Sequence, residues 1–134
     1  MKFETNENCF VCGKNNSGGL HLSFEIDPEN KTLQTTFVAG PTFQGWDGIV
    51  HGGIVSTLLD EAMAKLVYEL GYQAITASLE IKFKKPVPIL EPLFIHGEIM
   101  EVSKRLIRAK AQISKEDGTI LAKGTSTFLK ERSI

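Results

Sequence analysis

Residues 52–70 have the sequence GGIVSTLLDEAMAKLVYEL, in which apolar side chains recur at helical spacing. They occupy positions 54, 55, 58, 59, 62, 63, 66, 67 and 70, which is the pattern of a helix that buries one face. Gly71 follows directly, and glycine is common just beyond a helix end. The spacing therefore predicts one long helix over roughly 52–70.

The segments on both sides of this helix predict strands. Upstream, apolar and polar residues alternate over 20–26, and a turn at 27–30 leads to a second strand over 33–38. Downstream, the same patterns predict four further strands, over 75–83, 93–102, 106–113 and 120–129. Two strands, a helix and four strands in hairpin succession favour an α+β fold, with the helix packed against an antiparallel sheet.

Length and composition indicate an ordinary single domain. The 134 residues correspond to about one domain of roughly 150 residues, so residues 1–134 are predicted to fold as one unit. The net charge of −1 provides no broad positive field, which argues against a general nucleic-acid binder. Since no apolar run has the length of a signal peptide or a membrane span, we expect a cytoplasmic protein without a membrane segment.

The helix is preceded by His51-Gly52-Gly53. Two glycines at a helix start let a ligand approach the free backbone N–H groups, which suit a polarised carbonyl oxygen or an oxyanion. The alternative is a tight turn that merely requires glycine. His51 has three interpretations: it shapes the turn or orients a substrate, it acts as a general base, or it binds a metal. We favour the first.

Asp60 lies beyond the edge of the apolar stripe, and its neighbours on that face include no basic residue. The adjacent Glu61, by contrast, has Lys65 four residues on, which predicts a surface ion pair. Asp60 is therefore the candidate catalytic carboxylate of the helix. The alternative is an ordinary solvated side chain.

Cys9 and Cys12 form a single Cys-x-x-Cys pair near the N-terminus. No second pair completes a four-ligand zinc site, and cytosolic thiols stay reduced. We therefore expect reduced thiols that close the N-terminal turn, with no metal site and no cofactor.

Two segments and the order of the elements resemble a known family. Residues 48–63, GIVHGGIVSTLLDEAM, and residues 9–24, CFVCGKNNSGGLHLSF, resemble the hotdog-fold thioesterase superfamily, in particular the branch related to phenylacetic-acid degradation. The resemblance implies a long central helix wrapped by a curved antiparallel sheet of five to six strands. It also implies acyl-CoA thioesterase activity and a homodimer or homotetramer with active sites at the subunit interface.

The resemblance also assigns catalytic roles. The backbone N–H of Gly52, with Gly53 adjacent, would polarise the thioester carbonyl, and Asp60 would act as general base or nucleophile. Thr76, with Ser78 as the other candidate, would hold the water. The helix carboxylate of one subunit and the strand hydroxyl of the other would meet in one site.

Substrate contacts follow from the same resemblance. Many relatives carry Asn six residues before the His, where this chain has Gly45, and the adjacent Gln44 is the candidate substitute. The predicted acyl slot is lined by Phe43, Trp46, Leu59 and Met63. The predicted partners of the coenzyme A phosphates are Lys84, Lys85 and Arg105, with Lys82 and Arg108 as further candidates.

Two other functions remain open on this fold. A non-catalytic acyl-CoA-binding sensor is the first alternative, because a fold does not fix a function. A hydratase ranks lowest, because His51 lies beside the glycine turn rather than in the His–acid pair that such chemistry would need.

Overall fold

One long helix packs against a six-stranded antiparallel sheet in the computed structural model, which describes residues 4–131. The elements in chain order are β1 (Glu25–Asp27), β2 (Thr32–Val38), a short 3-10 turn (Pro41–Phe43), α1 (Gly52–Glu69), β3 (Ala74–Phe83), β4 (Pro92–Val102), β5 (Leu106–Ser114) and β6 (Ile120–Lys130). The order of strands in the sheet is β1-β2-β4-β5-β6-β3. The predicted α+β class and hotdog arrangement are confirmed, with six strands.

The predicted helix is confirmed to within one residue of its C-terminal end. Its apolar stripe is fully buried against the sheet, and its members are Val55, Leu58, Leu59, Ala62, Met63, Leu66 and Val67. Gly97 on β4 allows this close packing, because a Cβ there would lie 2.9 Å from the carbonyl oxygen of Ala62. The helix therefore lies directly on the centre of the sheet.

The first strand is shorter than predicted. Leu20 and Leu22 are buried, as the alternation indicates, but their backbone N–H groups donate to the carbonyls of Phe10 and Val11, both at 2.9 Å. The backbone at Leu20 and Leu22 thus pairs with the N-terminal turn, and the pairing of β1 with β2 begins at Glu25. Alternation reports which side chains are buried, not which backbone they pair with.

Strand β3 forms one edge of the sheet and contains a bulge. It pairs with β6, and the register shifts between Thr76 and Ser78. Because a bulge adds one residue, it switches which side chains face inward. Ala74, before the bulge in the chain, and Ile81, after it, both pack against the core. Strict alternation would place these two side chains on opposite faces of the strand. The apolar side chains of Ile75, Leu79 and Phe83 remain 37%, 40% and 57% exposed along this edge.

Candidate active site

The N-terminal end of α1 is capped by a histidine side chain. His51 is the N-cap residue, and its Nδ1 accepts a hydrogen bond from the backbone N–H of Gly53 at 2.9 Å. The His51 carbonyl accepts from the N–H groups of Ile54 and Val55. The imidazole therefore shapes the turn, and this geometry requires Nδ1 to be unprotonated.

Gly52 offers the free donor of the glycine pair. Within residues 4–131, no acceptor lies within hydrogen-bonding distance of its backbone N–H, whereas the N–H of Gly53 is used by His51. Gly52 is exposed and is the first residue of α1, where the helix dipole is positive. A carbonyl oxygen or an oxyanion can approach this group from solvent.

The loop that precedes α1 packs against His51. Gln44 accepts a hydrogen bond through Oε1 from the backbone N–H of Gly48 at 3.2 Å. A Cβ on Gly45 would lie 3.2 Å from the Cα of His51, so glycine permits close packing at the position where relatives carry Asn. The side-chain oxygen of Gln44 therefore supports the loop.

Asp60 is half-buried on α1 and is bound by β3. Thr76 donates a hydrogen bond through Oγ1 to Asp60 Oδ1 at 3.3 Å. Burial raises the pKa of the Asp60 carboxyl above its usual value, and the hydrogen bond from Thr76 opposes that shift. A carboxylate with a raised pKa is a better base toward water.

Asp60 and Thr76 of the same chain are in direct contact. Gly52 precedes Asp60 by eight residues, which is about 12 Å along a helix axis at 1.5 Å per residue. In one chain the backbone of Gly52 therefore lies about two helical turns from that of Asp60. Ser78 lies on the other side of the bulge, where its carbonyl accepts a hydrogen bond from Ser126 Oγ at 3.1 Å.

The predicted acyl slot is not formed by the single chain within residues 4–131. The expectation for Met63 is wrong, because Met63 is fully buried in the core, as is Leu59. Their positions in the apolar stripe already indicated burial, and the helix packs too closely on the sheet to leave them exposed. Phe43 packs against Phe37, with ring centroids 6.1 Å apart. Trp46 is 82% exposed at the surface of the loop.

The predicted cations lie at two ends of the sheet. Lys84 and Lys85 directly follow β3, and the Phe83 ring that precedes them lies 3.6 Å from the position of a Cβ on Gly52. Arg105 lies at the opposite end of β3, where its carbonyl accepts from the N–H of Lys130 at 2.9 Å. The length of β3 separates the two ends by about 30 Å at 3.3 Å per residue. Within one chain, Arg105 therefore lies far from Lys84 and Lys85.

Cys9, Cys12 and Glu61 form a cluster of side chains beside α1 that the sequence does not predict. Cys9 and Cys12 are free thiols, and a carboxylate oxygen of Glu61 and both sulfur atoms lie within 4.8 Å of one another. The predicted surface pair of Glu61 with Lys65 is wrong, because Lys65 Nζ pairs with Glu69 Oε1 at 3.2 Å. In the described part of the chain, no other group of three His, Cys, Asp or Glu side chains has this spacing, and His51 is not in it.

Fold and site together define a hotdog protein of the thioesterase type. Residues 47–122 match the family model described as the thioesterase superfamily, and the chain belongs to that superfamily. No helix within residues 4–131 is both long and apolar enough to cross a membrane.

Two curated proteins that are similar to this chain are both named acyl-coenzyme A thioesterases. Acyl-coenzyme A thioesterase THEM5 of Mus musculus is 36% identical over 113 residues, covering 83% of this chain and 45% of the relative. Acyl-coenzyme A thioesterase THEM4 of Bos taurus is 30% identical over 115 residues, covering 84% of this chain and 47% of the relative. The chain thus spans about half the length of these curated relatives.

Solved structures agree on the fold. A thioesterase superfamily protein superposes with a TM-score of 0.87 at 27% identity, covering 92% of this chain and 60% of that one. A Bacillus halodurans protein with CoA gives 0.73 at 27% identity, covering 86% and 77%. A putative thioesterase related to phenylacetic acid degradation, from Ralstonia eutropha, gives 0.75 at 24% identity, covering 82% and 85%.

Proposed function

We propose that this chain is an acyl-CoA thioesterase that hydrolyses an acyl-CoA to the free acid and CoA. The observation that carries the proposal is the pairing of a free Gly52 N–H at the start of α1 with a half-buried Asp60 held by Thr76. Relatives named acyl-coenzyme A thioesterase and a CoA-bound structural neighbour support the same substrate class.

The reaction follows from these groups. The N–H of Gly52 polarises the thioester carbonyl and stabilises the oxyanion; one such donor is worth about 10²–10³ in rate. Asp60 removes a proton from water as the water oxygen attacks the carbonyl carbon. The C–S bond then breaks, and the departing sulfur takes the proton from Asp60. In an alternative route Asp60 attacks the carbonyl carbon and the C–S bond breaks, which gives a mixed anhydride and the CoA thiolate. Water then hydrolyses the anhydride to the free acid and the Asp60 carboxylate, and the thiolate takes up the proton released.

The proposed active unit is a homodimer. The backbones of Gly52 and Asp60 lie about 12 Å apart along one helix, at 1.5 Å per residue, and a second copy can bring an oxyanion donor closer to the carboxylate. The exposed edge of β3 is suited to antiparallel pairing with the β3 of a second copy. Pairing over the full strand places Phe83 of one copy opposite Ala74 of the other, two residues from Thr76. Since the Phe83 ring lies beside Gly52, this register brings the oxyanion donor of one copy to the carboxylate of the other.

Substrate binding follows from the same arrangement. Lys84 and Lys85 are exposed next to Phe83, and therefore close to the Gly52 N–H that receives the thioester. They are placed to bind phosphates of the CoA portion. Trp46, on the loop before His51, is exposed and is placed to contact the acyl portion or the second copy.

The experiment is thiol release from a panel of acyl-CoAs with aromatic, short, branched and long acyl groups, with the oligomeric state measured on the same sample. Turnover of at least one substrate by a dimer or larger oligomer supports the proposal. Calorimetric binding of acyl-CoA without turnover would establish the sensor alternative instead. Glu116→Gln, a change at an exposed turn, is the matched control and should keep full activity.

A further inference from the structure

The N-terminal turn presents two thiols to the side of α1. Cys9, Cys12 and Glu61 are each half-buried, and their sulfur and carboxylate oxygen atoms lie within 4.8 Å of one another. In a tetrahedral zinc site, with bonds of about 2.3 Å to sulfur and 2.0–2.2 Å to oxygen, ligand atoms are roughly 3.5–3.8 Å apart. Small side-chain rotations are therefore enough to bring these three atoms around one cation.

The turn is built to hold this geometry. Gly13 follows Cys12, and a Cβ there would lie 2.3 Å from the backbone nitrogen of Cys9 and 2.5 Å from the carbonyl oxygen of Glu7, so only glycine fits. The N–H of Gly13 donates to the Cys9 carbonyl at 3.0 Å. Val11 is buried in the core, which fixes the turn to the rest of the fold.

Polar groups surround the two sulfur atoms. The backbone N–H groups of Cys12 and Val11 donate hydrogen bonds to the Cys9 sulfur, and the side chains of Cys9 and Cys12 are hydrogen-bonded to each other. Lys65 lies close enough to interact with Cys12 and Glu61, and its positive charge offsets part of the negative charge of the three donors.

A cavity next to the three donors gives access from solvent. It has a volume of about 200 Å³, and its lining includes Cys9, Cys12, Glu61, Ala64, Lys65 and Tyr68. Three protein donors leave one position of a tetrahedral cation open, which is the arrangement that keeps a water ligand. The cavity provides room for that water.

We propose that Cys9, Cys12 and Glu61 together bind one divalent cation of the zinc type, with water as the fourth ligand. The bound cation would connect the N-terminal turn to α1 at the residue that follows Asp60. The sequence expectation of no metal site rested on the absence of a second cysteine pair, and the carboxylate from α1 now supplies the missing donor. The proposal does not depend on thioester hydrolysis, since Asp60 and Gly52 need no metal for the steps above.

The test uses the full chain, reduced and stripped of metal with a chelator, and titrated with Co²⁺ as a spectroscopic probe of the zinc site. The expected result is one equivalent bound, with thiolate-to-cobalt charge-transfer absorption and with d–d bands of tetrahedral intensity that Zn²⁺ abolishes. Zn²⁺ should also raise the melting temperature, because a ligand that binds only the folded state stabilises it. Absence of the charge-transfer band, or octahedral d–d bands, would overturn the proposal.

Single substitutions test the contribution of individual donors to metal binding. Glu61→Gln keeps the shape of the side chain and should weaken Zn²⁺ binding at least tenfold. Cys9→Ser should reduce the charge-transfer band to about half or less, because Cys12 is then the one thiolate donor left. Glu116→Gln, a change at an exposed turn remote from the cluster, is the matched control and should leave the affinity unchanged. If Cys9→Ser does not fold, Glu61→Gln alone decides: unchanged affinity in that variant would exclude the three-donor site.

Discussion

Thr76 Oγ1 donates a hydrogen bond to Asp60 Oδ1 across 3.3 Å and so ties the middle of α1 to the bulge in β3. The bulge is what makes this contact geometrically available, because it turns an otherwise outward-facing hydroxyl toward the helix. The same contact fixes the carboxylate that the proposed reaction uses as its base.

Asp60→Asn should reduce thiol release by about 10²-fold or more, because it removes the proton acceptor. Its melting temperature at pH 7 should equal or exceed that of the wild type. The raised pKa of Asp60 means that the folded state disfavours the charge, so the stability linked to this group is present at low pH and lost as pH rises through that pKa. Full activity in the variant would exclude Asp60 as base or nucleophile, and Glu116→Gln controls for loss of a surface charge.

In a plot of kcat/KM against pH, the midpoint of the acid limb should lie above 3.8, the ordinary pKa of aspartic acid. The reason is that the active form of Asp60 is the carboxylate. Thr76→Val removes the hydrogen bond that lowers the pKa of Asp60, so the limb should move to higher pH. Thr76→Ser retains the hydroxyl and should keep the limb in place. An acid limb at the same pH in Thr76→Val and wild type would show that the hydroxyl does not act through Asp60.

Gly52→Pro should lower kcat by about 10²–10³ with little loss of stability. Proline removes the N–H of the first helical residue, where it is well tolerated, and the His51 angles of φ −57° and ψ 136° suit a residue before proline. Gly52→Ala keeps the N–H and is the matched control, because a Cβ would lie at an ordinary 3.6 Å from the Phe83 ring. Equal rates in the two variants would remove Gly52 from the oxyanion site.

Mixing the inactive Asp60→Asn and Gly52→Pro chains should restore activity. Each mixed dimer would contain one complete site, so random assortment after co-refolding should give about one quarter of wild-type activity. The restored activity should be absent when each variant is refolded alone. No restoration, with mixed dimers detected by mass spectrometry, would mean that Gly52 and Asp60 do not combine across two chains.

His51→Ala should destabilise the protein by about 1 kcal/mol, the usual effect of losing a helix N-cap, while kcat falls only modestly. His51→Asn should restore stability, since its side-chain oxygen can accept the same hydrogen bond from Gly53. Thermal melting and initial rates measured side by side make the comparison. A loss of kcat in His51→Asn as large as that in Asp60→Asn would favour the general-base interpretation of His51.

The sequence predicted the helix and most strands because their signals are local. Apolar spacing over 52–70 reports directly on a helix face, and alternation reports on strands such as β4 and β5. The glycine pair and Asp60 could likewise be identified from the residues next to them in the chain.

The features that were missed depend on distant parts of the chain. The bulge at residues 76–78 depends on how β3 registers with β6, and no local pattern reports that register. Glu61 and Cys12 are 49 residues apart and meet only because the N-terminal turn packs on α1. The prediction of Met63 in a substrate slot conflicts with its position in the apolar stripe, because side chains in that stripe are expected to be buried in the core.

The unpaired edge of β3 makes the proposed catalysis depend on protein concentration. If each site combines groups from two chains through this edge, dissociation of a dimer on dilution removes both of its sites together. Specific activity would then fall with dilution in a way that added substrate could reverse, since a ligand that binds across the junction favours the assembled form. The cell could in this way set the activity of the protein through its abundance.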